Sequence, residues 1–82
     1  MKVITIENIK YKVLEEKILS EWSTKYFLKN LTNNEEFILK IEDYRETKFV
    51  INGEISSTIY KVGNPFLKTV LHPENLEFKE EK

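Results

Sequence analysis

The stretch from Thr24 to Asp43, TKYFLKNLTNNEEFILKIED, constrains the fold more than any other part of the chain. Two apolar runs flank Asn33-Asn34, and asparagines tolerate the positive φ that a tight hairpin turn requires. With those two residues as the turn, Leu28 lies opposite Leu39, Tyr26 opposite Ile41 and Asn30 opposite Phe37. One face then holds Tyr26, Leu28, Phe37, Leu39 and Ile41, with Asn30 as its polar member. A slip by one residue would scatter that set over both faces, so the pattern itself argues for a long central β-hairpin. On the other face Phe27 meets Lys40, Lys29 meets Ile38 and Leu31 meets Glu36. That face is half apolar, and is either covered by curling of the sheet or presented to a partner.

The chain before the hairpin repeats the strand pattern. Ile4 and Ile6 alternate with Thr5, and Ile9, Tyr11 and Val13 alternate with Lys10 and Lys12. A turn at Glu7-Asn8 sets Ile6 against Ile9 and Ile4 against Tyr11. Glu15 to Ser23 is ambiguous: the spacing of Ile18, Leu19 and Trp22 suits either one short helical turn or a strand end followed by a loop. Trp22 reads as a lid over one end of the sheet, or as an exposed aromatic platform. Ile41 to Lys48, IEDYRETK, is charged and reads as a loop or one helical turn where the central strand ends. Phe49 to Ile51 reads as a strand, and Asn52-Gly53 is the strongest hairpin signal of the chain. Ser56 to Val62 and Phe66 to Leu71 are further strands, separated by Gly63-Asn64-Pro65. Glu74 to Phe78 is a last strand or a short turn, and the tail from Lys79 to Lys82 has no apolar anchor, so it is expected to fray. The expected fold is all-β: one domain over residues 1–82, a small antiparallel meander closing into a barrel-like or rolled sheet, with at most one short helical turn.

Composition narrows the function classes. Forty per cent apolar and 33% charged side chains suit a folded domain of 82 residues. There is no cysteine, so there is no disulfide and no thiolate metal site. That absence, with an N-terminus lacking an apolar signal segment, leads to the expectation of a cytoplasmic protein. The formal net charge is −1, which gives no global attraction to nucleic acid or to an anionic membrane.

Catalytic chemistry finds little to stand on. The one histidine, His72, precedes a proline in a turn. Adjacent carboxylates such as Glu15-Glu16 and Glu35-Glu36 point to opposite faces of a strand and make no acid–base pair. The two glycines, Gly53 and Gly63, build no phosphate-binding loop. The expectation is a non-enzymatic chain with no cofactor and no metal. The run Tyr11-Lys12-Val13-Leu14 through Ile38-Leu39-Lys40-Ile41 resembles the opening strands of a protein-kinase small lobe, with Lys40 where that lobe keeps its phosphate-pairing lysine. The glycine loop and the catalytic motifs are missing, so no residue role is carried over.

What remains is an interaction module, an adaptor, regulator or subunit, that binds another protein or a second copy of itself. The candidate contact residues are Trp22, Phe27, Lys29, Leu31, Ile38, Lys40, Tyr44 and Arg45. The alternative is a small barrel that binds single-stranded nucleic acid, using aromatic rings flanked by lysine and arginine.

Overall fold

Glu7 and Asn8 both adopt positive φ, 50° and 69°, so the first turn has the primed geometry that matches the twist of paired strands. It joins β1 (Lys2–Ile6) to β2 (Ile9–Ser20) in the expected register, with Ile4 opposite Tyr11 and Ile6 opposite Ile9. A computed structural model of the chain describes residues 1–46 and 53–81. The expected strand Phe49–Ile51 and the residue Asn52 of the expected turn lie outside the described residues.

β2 runs unbroken through the ambiguous stretch and turns at Glu21-Trp22 into β3 (Ser23–Asn30). The helical-turn reading of this stretch is therefore corrected. Two register shifts explain why its apolar spacing looked helical. Leu14 and Leu19 each sit at a bulge, where two residues of β2 meet one of β3, and each bulge moves the alternation to the opposite face.

The central hairpin pairs β3 with β4 (Glu36–Asp43), but two residues away from the expected register. Leu28 faces Phe37, Tyr26 faces Leu39 and Phe27 faces Ile38. A four-residue loop replaces the two-residue turn. Asn30 donates its N–H to the Glu35 carbonyl (2.8 Å), accepts from Asn34 N–H (2.8 Å), and accepts Thr32 N–H on Oδ1 (2.8 Å). Asn34 alone takes the left-handed conformation, at φ 62°. Because side chains alternate with period two, a slip of two residues leaves every side chain on its expected face.

β5 (Ile55–Lys61), β6 (Thr69–Leu71) and β7 (Glu77–Glu80) complete one seven-stranded antiparallel sheet, in the order β6-β5-β4-β3-β2-β1-β7. It curls into a half-barrel, as the all-β reading requires. Two expected strand starts are corrected. Consecutive turns, Asn64 N–H to Lys61 carbonyl and Leu67 N–H to Asn64 carbonyl, keep Phe66 to Lys68 out of β6. Pro73 begins a 3-10 turn, Pro73–Asn75, so the last strand starts only at Glu77. The tail is also corrected. Lys79 and Glu80 belong to β7 and pair with Val3 and Lys2, and Glu81 N–H donates to the Met1 carbonyl at 2.7 Å.

The core lies on the inner face. Ile4, Ile6, Tyr11, Leu28, Leu39, Ile59 and Leu71 form one buried cluster, and Val13, Tyr26, Phe37, Ile41, Leu76 and Phe78 pack around it. β6 and β7 are the two edges of the sheet, and residues 72–76 span the gap between them. Leu76 of that strap packs against the core.

Candidate interaction surfaces

The eight residues singled out from the sequence fall in three places. Phe27, Lys29, Ile38 and Lys40 lie on the outer face of the sheet. Trp22, Tyr44 and Arg45 gather at one end. Leu31 sits in the four-residue loop at the other end, exposed and off the face where it was expected.

The outer face is built from register. Glu15, Phe27, Ile38 and Tyr60 lie in one row across β2 to β5. Beside it runs a row of lysines, Lys17, Lys25 and Lys40, each directly opposite the next. On the other side Lys12 faces Lys29, which faces Glu36 in turn. The expected pairing of Phe27 with Lys40 and of Lys29 with Ile38 is thus corrected: Phe27 faces Ile38, and Lys40 faces Lys25. Like charges held opposite one another across strands destabilise a sheet. Lys25 partly offsets this by placing its ammonium 5.8 Å from the Phe27 ring centroid, and Lys68 sits 5.6 Å from that of Tyr60. Every described strand belongs to the one sheet, so no second sheet covers this face among the described residues. Tyr60 completes the apolar row, and the alternation of Tyr60 with the buried Ile59 is the sequence signal that would have found it.

At the lower end, Trp22 packs on Tyr44 with ring centroids 5.6 Å apart, and its carbonyl accepts Asp43 N–H at 2.7 Å. Trp22 is half-buried here. Tyr44 N–H donates to the Glu54 carbonyl (3.1 Å), which draws the chain around Gly53 close to Tyr44. A Cβ on Gly53 would overlap the Tyr44 carbonyl, so glycine serves this close approach. Arg45 donates from Nε and Nη2 to the two carboxylate oxygens of Asp43, at 2.9 and 2.8 Å. That side-chain hydrogen bonding holds the Asp43 carboxyl below its usual range. Burial, followed by the neighbouring Glu42, pushes the Tyr44 phenol up.

The upper end was not anticipated. Three turns meet there, at residues 7–8, 31–35 and 62–68. These turns and the adjoining start of β2 carry five exposed apolar side chains at the same end of the sheet: Ile9, Leu31, Val62, Phe66 and Leu67. Phe66 is 93% exposed. An open cavity of about 270 Å³ enters the core at this end, walled chiefly by Ile6, Ile9, Tyr11, Phe37, Ile59 and Leu67. Among the described residues no cluster of three or more His, Cys, Asp or Glu is placed to hold a metal ion, and no helix is long and apolar enough to cross a membrane.

No family model, no curated protein and no solved structure matches this chain.

Proposed function

We propose that the chain is a protein-interaction module without catalytic function, an adaptor, regulator or subunit that takes its partner on the outer face of β3 to β5. The observation that supports this reading is the row Phe27, Ile38 and Tyr60, flanked by Lys17, Lys25 and Lys40 on one side and by Lys12, Lys29 and Glu36 on the other. A partner segment with apolar side chains over the row and carboxylates at its margins would desolvate the rings and offset the lysine repulsion together. Phe27→Ser and Ile38→Glu test it. Each is expected to abolish capture of the partner from the source cell while the far-ultraviolet circular dichroism and the unfolding transition stay near wild type. If both variants unfold, the row is part of the core and the reading loses its support.

One observation favours a second reading, binding of single-stranded nucleic acid. The outer face of the sheet carries Lys10, Lys12, Lys17, Lys25, Lys29, Lys40 and Lys79 against Glu15, Glu36, Glu42 and Glu77, although the whole chain is slightly acidic. Two rings among lysines make a surface on which bases stack while ammonium groups meet phosphates. That reading requires retention on a polynucleotide column that weakens steeply as salt rises. A chain that passes through unretained at low salt would remove it.

A further inference from the structure

The upper end of the half-barrel holds a protruding aromatic ring beside a largely apolar open cavity. Phe66 is 93% exposed, while its neighbour Leu67 lines the cavity wall. Phe66 itself is not among the residues of that wall. The turn hydrogen bonds from Asn64 to Lys61 and from Leu67 to Asn64 hold this stretch in a defined shape. A ring turned into water leaves roughly 150–250 Å² of apolar surface wet. The cavity beside it has Ile6, Ile9, Phe37 and Ile59 in its wall, with the Tyr11 ring edge-on to Phe37 at 5.4 Å, and Glu7 and Lys61 also line it. Its volume of about 270 Å³ admits one phenyl ring.

From this pairing we infer that the occupant of the cavity is Phe66 of a second copy of this chain. Two-fold symmetry requires one patch to carry both the knob and the hole, so that each copy gives and receives the same contact. Here one turn supplies the knob, and the residue next to it supplies part of the hole. The surrounding surface suits the same partner, since Ile9, Leu31 and Val62 present apolar side chains at this end. Of the outer-face row only Tyr60 borders the cavity, so a dimer leaves Phe27 and Ile38 free for the partner proposed above.

Light scattering after size exclusion on the full chain tests the inference, because it reads mass across a range of concentrations. Wild type is expected at twice 9.8 kDa at both low and high salt, since the contact is largely apolar. Phe66→Ser removes the knob and Ile9→Lys places a charge at the rim of the hole; each is expected as a monomer with wild-type circular dichroism. Mixing the two variants provides the internal control. The mixed pair keeps one intact knob-in-hole contact, which neither variant has alone, so a dimer should reappear in the mixture. Wild type that stays monomeric up to about 1 mM overturns the inference. So does a Phe66→Ser chain that dimerises as well as wild type, or a mixture that shows only monomers.

Discussion

Ser57 is fully buried between Ile41 and Leu71 of the neighbouring strands, and its hydroxyl has no hydrogen-bond partner among the described residues. An unmet buried hydroxyl costs about 1–3 kcal/mol of desolvation, part of which is recovered when the oxygen is removed. Ser57→Ala is therefore expected to raise stability by up to about 1 kcal/mol, seen as a higher urea midpoint at unchanged slope. A lower midpoint would mean that the hydroxyl is bonded after all. Asn30 is the contrasting polar residue. It reads in the sequence as a flaw in an apolar face, yet both its side chain and its backbone are spent on closing the 31–34 loop. Sequence pattern reports which face a residue occupies, and this was legible for Ile4, Tyr11, Leu28 and Leu39. It does not report local hydrogen bonding of this kind, which depends on loop geometry.

Among the elements, the hairpins divide by turn type. The Glu7-Asn8 turn was legible because a two-residue loop permits one register only. The central register was missed by two because Asn33-Asn34 resembles a tight turn, whereas the loop is longer and only Asn34 takes positive φ. Bulges at Leu14 and Leu19 were hidden for a related reason: an inserted residue has no signature beyond a break in alternation, which helical spacing mimics. The turn geometry has a measurable consequence. At Asn8, φ 69° suits glycine and opposes a branched side chain. Asn8→Gly is expected to change stability by only a few tenths of a kcal/mol, and Asn8→Val to cost about 1–2 kcal/mol, by denaturant unfolding. Equal effects from the two would refute the left-handed assignment.

At the scale of the molecule, six pairings form the ladder among the described residues, and five of them join described strands that follow one another in sequence. The sixth, β1 with β7, brings the two extremes of the chain together. Phe78 anchors it, with its ring 4.9 Å from that of Tyr26 and the Lys2 ammonium 5.1 Å from its centre. Phe78→Ala is expected to lower stability by about 2–3 kcal/mol, less than for a fully buried phenylalanine, and to speed amide exchange first in β1 and β7. Uniform acceleration across all strands would show that this seam does not open separately. None of this was legible in the tail, whose charged residues read as frayed. Its order comes from pairing with a strand some 75 residues away and from ion pairs such as Lys10 with Glu81 at 2.6 Å. The patch at the upper end was hidden likewise, since its side chains come from turns far apart in sequence.

The Met1 amino nitrogen lies 2.7 Å from the Glu81 carbonyl oxygen, so the polypeptide leaves the sheet almost where it enters. Such a chain is built like a bead with a single point of attachment. It could be spliced into a surface loop of a larger protein without prising that loop apart, or be joined head to tail by a short bridge into a ring whose unfolded form has lost much of its freedom.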